Sequence, residues 1–129
     1  PYARDPTLAT YCRSRHLVVS SRGDPVTATD GALARLGHTR HVAMTAPNFA
    51  SALFVAAETD LVVSLPESLV ALHGARFGLV ATALPFDVPA GNVLAVTTRA
   101  ALQDRGVAWL VDRVSRLGWS DLVARHRPD

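Results

Sequence analysis

The feature that most constrains the fold is a series of short apolar runs, each followed closely by residues that break a strand or begin a helix. The runs lie at residues 16–20, 40–45 and 61–65. Their shortness favours strands, and the third is unbroken, as in strands covered on both faces. Asn48 and Pro66, which suit the start of a helix, follow the second and third runs. Strands that alternate with short helices predict βαβ units with a mainly parallel sheet, and therefore a three-layer α/β lobe.

Capping and turn residues place the remaining elements. Thr7 is expected to cap a helix that reaches residue 15, and Asp30 a helix over 31–36 that ends at Gly37. Further helices are expected over 49–57 and 67–72, and further strands over 77–83 and 93–98. Asp104 is expected to cap a last helix that runs to residue 117 and turns four residues inward: Val107, Leu110, Val111 and Val114.

Composition limits the class of protein. With 129 residues, 49% hydrophobic and 19% charged, the chain is typical of one domain with a real core. No apolar stretch approaches the roughly 20 residues of a membrane span, and no export signal is visible, so no membrane partner is expected. The lone cysteine, Cys12, suits a reducing cytoplasm. The basic residues are all arginine and are scattered among acids, so no nucleic-acid-binding stripe is evident.

Residue patterns of the common enzyme classes are missing from the sequence. No Gly-x-Ser-x-Gly turn or phosphate-binding glycine loop follows a predicted strand. Cys12 and His16 would pair as nucleophile and base only if one helix held both, whereas His16 opens a strand. His38 and His41 have no third metal ligand nearby. Glu58 and Asp60 belong to a solvated helix end, so they are not expected to act as a catalytic carboxylate pair. We therefore expect no enzyme, no metal site and no cofactor.

Polar residues follow the carboxyl ends of the predicted strands, where parallel α/β sheets bind their ligands. Ser20 and Ser21 end the first strand, the segment 45–49 ends the second, and Ser64 ends the third. Free N–H groups at the helix that begins after Asn48 would favour an anion. The same residues also suit a structural role, in which Asn48 caps the helix and Ser21 turns the chain. Both interpretations stay open on the sequence alone.

Taken in order, several segments resemble the second effector-binding subdomain of LysR-type transcriptional regulators. They are His-Leu-Val-Val-Ser-Ser-Arg-Gly (16–23), Asp-Gly-Ala-Leu-Ala-Arg-Leu-Gly (30–37), Arg-His-Val-Ala-Met-Thr-Ala-Pro-Asn-Phe (40–49) and Phe-Val-Ala-Ala-Glu-Thr-Asp-Leu-Val-Val-Ser-Leu-Pro-Glu-Ser-Leu (54–69). Leu-Pro-Phe (84–86), the strand 93–99 and Val-Ala-Trp-Leu (107–110) continue the series. No single motif decides the resemblance, but the whole order is specific and covers most of residues 5–117.

The resemblance implies one lobe of a fold similar to type 2 periplasmic binding proteins, in which a small effector binds in the cleft between two lobes. Residues 1–15 would then be a lead-in or crossover segment and 16–99 the second effector-binding subdomain. Residues 100–117 would form a C-terminal helix that returns toward the missing first subdomain, and 118–129 a tail. The loops expected to face the cleft carry the predicted effector-binding residues: Ser20, Ser21, Arg22, Thr45, Pro47, Asn48 and Phe49.

The resemblance also implies the partners of the protein. A small-molecule effector is expected, and Arg22 would suit an acidic one; DNA would be bound only through an N-terminal winged helix that these residues do not include. Trp109, Leu110 and Val114 would lack the first lobe as a partner, which favours a homo-oligomer. The alternative is one lobe of a solute-binding protein of a transport system, against which the lone cysteine and the lack of a visible export signal argue.

Overall fold

The computed structural model describes residues 2–89 and 94–116, which belong to two compact units divided after Pro89. The first unit contains a three-stranded parallel sheet with the strand order β2-β1-β3. Its strands are β1 (Arg15–Val19), β2 (His41–Ala46) and β3 (Val62–Val63). Helices accompany the strands in sequence, so the predicted α/β class with a parallel sheet is confirmed.

Among its described residues, the first unit contains four helices. They are α1 (Leu8–Arg13), α2 (Ala28–Arg35), α3 (Phe49–Ala57) and α4 (Glu67–His73). Short 3-10 turns lie at Tyr2–Arg4 and Ala75–Phe77. The Thr7 hydroxyl accepts a hydrogen bond from the Thr10 N–H at 3.3 Å, and the Asn48 side chain accepts one from the Ser51 N–H at 2.9 Å. Both predicted caps are therefore confirmed.

Side chains of the sheet alternate between two helical layers, as the period of a strand requires. Leu17 of β1 lies on one face and packs with Ala46 and with Ala52 of α3. Val62 of β3 lies on the other face, against a cluster of Tyr2, Tyr11 and Leu33. These side chains come from the first 3-10 turn, α1 and α2. The sheet is consequently covered on both faces, which is the predicted three-layer arrangement.

A bulge in β2 sets the register between the two longest strands. His16 pairs with Val42 but Leu17 pairs with Met44, so one residue of β2, Ala43, has no partner of its own. The ladder then continues to Val19 opposite Ala46. As a result, β1 and β2 end side by side.

Two predicted details of α2 and β3 are wrong. Asp30 does not cap α2, which starts after Thr27; the Asp30 carboxylate instead accepts hydrogen bonds from the Thr27 N–H at 2.8 Å and the Thr27 hydroxyl at 2.9 Å. An acid in the first helical turn can accept a hydrogen bond from a free N–H group at the helix start, as a capping residue does. β3 covers Val62–Val63 instead of residues 61–65, because within the described residues it pairs only with β1.

The two later strands are also wrong within the described residues. The segment 77–83 contains the end of a 3-10 turn and Gly78 in the left-handed conformation, at φ 64°, and residues 79–83 belong to no helix or strand. Residues 94–98 form no strand either, and Val93 lies outside the described residues. Apolar, β-branched residues favour extended backbone, but a strand also requires a partner with which to pair.

The second unit holds a 3-10 turn, Ala101–Gln103, and α5, Arg105–Ser115. The Asp104 carboxylate accepts hydrogen bonds from the N–H groups of Gly106 at 2.8 Å and Val107 at 3.0 Å, which confirms the predicted cap. The predicted inward face is wrong, because no residue of α5 is buried: residues 94–116 form no sheet on which it could pack. Leu117 and the predicted tail, 118–129, lie outside the described residues. None of the helices described is long and apolar enough to cross a membrane.

Candidate functional site

The candidate site is the edge of the sheet at which β1 and β2 end together. The Ser20 N–H donates a hydrogen bond to the Ala46 carbonyl oxygen at 2.8 Å, one step beyond the last strand residue of β1. The loops that follow the two strands therefore leave the sheet from neighbouring positions. Carboxyl ends of parallel strands are where α/β folds place their ligands.

The first of these loops is a tight turn that exposes its central residues. The Gly23 N–H donates to the Ser20 carbonyl oxygen at 3.3 Å, and Gly23 has a φ of 77°, which a glycine adopts without strain. Ser21 and Arg22 are exposed at the turn. No carboxylate among the described residues lies within ion-pair distance of Arg22, so its charge faces solvent.

The second loop holds one half-buried and three exposed residues. Ala46 is buried beneath α3, and because strand side chains alternate, Thr45 points to the opposite face of the sheet, where it is half-buried. Pro47, Asn48 and Phe49 are exposed. The oxygen of the Asn48 side chain is occupied by the cap of α3, which leaves its amide N–H groups as donors.

The seven predicted site residues are thus brought to one edge of the sheet, as the parallel topology requires. Asn48 has the capping role that the sequence left open, and that role still leaves part of its side chain free. Ser64, the third polar strand end, differs from the others because its hydroxyl oxygen lies 2.8 Å from the hydroxyl oxygen of Tyr11. It belongs to an internal network that sequence reasoning missed.

Arg40 is the centre of this network, and its side chain is only 2% exposed. Its guanidinium contacts Asp30 at 2.8 Å and donates further hydrogen bonds to the Thr27 hydroxyl at 3.1 Å and the Tyr11 hydroxyl at 3.2 Å. With Ser64, the chain of polar contacts runs from α2 across the face of the sheet to the end of β3. The sequence offered one local signal for this network, the position of Asp30 three residues after Thr27, which is the spacing of a capping box and does not indicate the arginine partner.

Burial and hydrogen bonding set the protonation of this network. Burial alone would raise the pKa of Asp30, but hydrogen bonds from Arg40 and Thr27 outweigh it and hold that pKa below its usual value. Burial would lower the pKa of Arg40, yet its hydrogen bond to Asp30 and the nearby negative charge raise it. Burial raises the pKa of Tyr11 despite its hydrogen bonds to Ser64 and Arg40. The pair is therefore ionised and the phenol is neutral at neutral pH.

His16 is fully buried beside the network. Its Nε2 lies 2.7 Å from the Tyr11 carbonyl oxygen and must donate to it, whereas Nδ1 has no hydrogen-bond partner. Burial lowers the pKa of His16, so the ring is neutral at neutral pH. Burial also raises the pKa of the Cys12 thiol, which opposes its activation as a nucleophile. The two side chains are therefore poorly suited to nucleophilic catalysis.

The described residues hold no group of three or more histidine, cysteine, aspartate or glutamate side chains that could bind a metal ion. The exposed histidines His38, before β2, and His41, at its start, have no third ligand within the described part of the chain.

Comparison with known proteins identifies the family. The family model described as the LysR substrate binding domain matches residues 2–118, which is most of the chain. The chain belongs to this family. LysR substrate-binding domains have a fold like that of periplasmic binding proteins, in agreement with the parallel sheet.

Two solved structures from Pseudomonas aeruginosa support the assignment. The regulatory domain of MexT, a transcriptional activator, is 28% identical, with a TM-score of 0.68 over 84% of this chain and 55% of that domain. The probable transcriptional regulator PA0477 is 35% identical, with a TM-score of 0.59 over 64% of this chain and 28% of that protein. The chain therefore spans about half or less of these relatives. No curated protein sequence matches it.

The family assignment also decides the question of catalysis. LysR substrate-binding domains belong to transcriptional regulators, and both structural relatives are regulators or their domains. The expectation that this LysR domain is not an enzyme is confirmed by these relatives. The alternative of a transport lobe receives no support from them.

Proposed function

We propose that this LysR domain senses a small-molecule effector at the shared end of β1 and β2, where Ser20–Arg22 and Thr45–Phe49 form one wall of the binding site. The observation that carries the proposal is the hydrogen bond from the Ser20 N–H to the Ala46 carbonyl, which holds the two polar loops together. Ligands of parallel α/β folds bind at this edge.

Each side chain of the wall has a distinct chemical use. Arg22 is exposed and unpaired among the described residues, so it suits a carboxylate or another acidic group on the effector. Thr45 and the amide group of Asn48 supply hydrogen bonds, while Phe49 supplies an apolar surface. Together these groups favour a small acidic molecule with an apolar part.

The proposed mechanism is a shift in population between two arrangements of the regulator. An effector that binds one arrangement better stabilises it, and the geometry of the oligomer on DNA changes accordingly. DNA would be bound by an N-terminal winged helix of the regulator and not by residues 2–116. A regulator of this kind acts in the cytoplasm, where its DNA target is.

The test uses the full-length regulator and a panel of small carboxylates in a reporter assay. Thr45→Val combined with Asn48→Ser removes two hydrogen-bonding groups, while serine keeps the oxygen that caps α3. We expect the response to the inducing carboxylate to be lost, while operator binding in a mobility-shift assay is unchanged. Thr39→Val, at an exposed position outside the wall, is the matched control. An unchanged response in the double variant would refute the site.

A further inference from the structure

A cavity lies along β3, and its lining residues differ from those of the proposed effector wall. It has a volume of about 360 Å³, which is within the range of roughly 300–1,000 Å³ that is typical of small-molecule sites. Residues 61–65 form one side and residues 78–82 another. None of the seven residues of the effector wall lines it, so the cavity is a separate feature of the domain.

The cavity is lined by both apolar and polar residues, and Ser64 and Tyr11 are among them. Its apolar lining includes Leu61, Val63, Val70 and Leu79. The two hydroxyl oxygens lie 2.8 Å apart, and Tyr11 is fully buried, so the phenol can satisfy its O–H only within this network.

The direction of the hydrogen bonds follows from Arg40, which can only donate. Arg40 donates to the Tyr11 oxygen at 3.2 Å and cannot accept a hydrogen bond. The buried Tyr11 hydroxyl therefore donates its proton to the other partner, the Ser64 oxygen. The Ser64 hydroxyl then keeps its proton for an acceptor outside the network. Because the series starts at a cation, each hydroxyl is polarised by the one before it and becomes a better donor.

The charges around the cavity decide what kind of acceptor fits. The positive charge of Arg40 is balanced by Asp30 at 2.8 Å. Asp60 is the single charged residue among the described residues that line the cavity, and it is negative. A carboxylate would therefore meet no unbalanced positive group here, in contrast to the exposed Arg22 of the effector wall.

From this geometry we infer that the cavity is a second ligand site, which takes a small neutral molecule with an apolar body and a carbonyl oxygen that accepts the Ser64 O–H. Amides, esters, lactones and ketones have this chemistry. The limited volume restricts the ligand to a single ring or a short chain.

The experiment is an amide chemical-shift titration of the full-length gene product with three probes of similar shape. Acetophenone has the carbonyl, ethylbenzene has no acceptor, and benzoate has a charged one. We expect acetophenone to bind with saturable shifts at Ser64 and Leu65, and the other two to bind more weakly. Ser64→Ala should weaken acetophenone by about threefold to tenfold, the factor that one neutral hydrogen bond contributes, whereas Ser68→Ala in α4 should not.

Two tryptophan variants, one inside the cavity lining and one outside it, test the site without changing Ser64. Ala81→Trp places a large side chain at a residue that lines the cavity, whereas Ala83→Trp does so at an exposed neighbour outside the lining. Acetophenone should lose its saturable shifts in the first variant and keep them in the second. The proposal is overturned if acetophenone shows no saturable shifts at Ser64 and Leu65, if benzoate or ethylbenzene binds as tightly, or if the two tryptophan variants behave alike.

Discussion

The guanidinium of Arg40 holds the carboxylate of Asp30 with two parallel hydrogen bonds, 2.9 Å from Nε to Oδ1 and 2.8 Å from Nη2 to Oδ2. Arg40 immediately precedes β2 and Asp30 lies in the first turn of α2, so the pair joins a helix to the sheet. Paired, planar contacts of this kind are geometrically specific and strong when water is excluded. Because the arginine is almost completely buried, the pair is a structural element and not a surface ion pair.

Replacing Arg40 should therefore lower the free energy of unfolding strongly. Arg40→Met fills similar space but leaves Asp30 and the Tyr11 hydroxyl without their donor, and we expect a loss of about 3–5 kcal/mol in the free energy of unfolding. Arg35→Met, at an exposed position of α2, should change it by less than about 0.5 kcal/mol. Urea unfolding monitored by circular dichroism measures both variants. Equal losses in the two variants would contradict the assigned role.

Acid should destabilise the domain through His16. Its pKa in the folded protein lies below the ordinary value of 6.5, so between the two values the unfolded chain binds a proton that the folded protein does not. The stability that His16 contributes is therefore complete above about pH 6.5 and is lost as the pH falls toward the folded-state pKa. Asp30 also has a lowered pKa, so its contribution is lost only in a more acidic range, below the ordinary value of 3.8.

His16→Gln separates these effects, because glutamine keeps an N–H donor for the Tyr11 carbonyl but does not titrate. We expect the variant to lose the decline in unfolding free energy just below pH 6.5, while His41→Gln, at an exposed histidine, retains it. Urea titrations between pH 5 and pH 7.5 would measure the two slopes. A decline that persists unchanged in His16→Gln would assign the acid sensitivity to another group.

Two glycines near α2 should respond to alanine with opposite signs. Gly31 lies within α2, where a Cβ would meet no atom within 4 Å, so Gly31→Ala should stabilise the protein by about 0.5–1 kcal/mol. Gly37 ends the helix with a φ of 73°, where an L side chain is strained, and Gly37→Ala should destabilise it by about 1–2 kcal/mol. Thermal unfolding of both variants checks the signs; the same sign in both would contradict the helix end.

The exposed face of α5 predicts self-association. Trp109 is 63% and Leu110 54% exposed, and apolar groups of this size on one helix favour contact with another apolar surface. We predict a homo-oligomer by light scattering at micromolar concentration. Leu110→Glu should shift it toward the monomer, whereas Arg105→Glu at the exposed start of the helix should not. A wild-type monomer across a wide concentration range would disprove the prediction.

Much of the site could be predicted from sequence because its determinants are local. The capping bonds of Thr7 and Asn48 link groups three residues apart, so the side chain that starts the helix lies beside the N–H group it satisfies. The apolar runs located β1 and β2, and the rule for parallel sheets then placed Ser20–Arg22 beside Thr45–Phe49. What these residues bind stays a prediction.

The sequence by itself indicated the family, the order of the elements as far as α4 and most helix starts, since the elements depend on hydrophobic periodicity and on hydrogen bonds within one turn. Only the tertiary structure decided the Arg40 network, whose contacts with Tyr11 join residues 29 apart, while the contact from Tyr11 to Ser64 spans 53. It also decided which apolar segments become strands: residues 77–83 have strand-forming composition but no strand with which they pair. Contacts distant in sequence depend on how the layers pack, and the local pattern of residues does not contain that information.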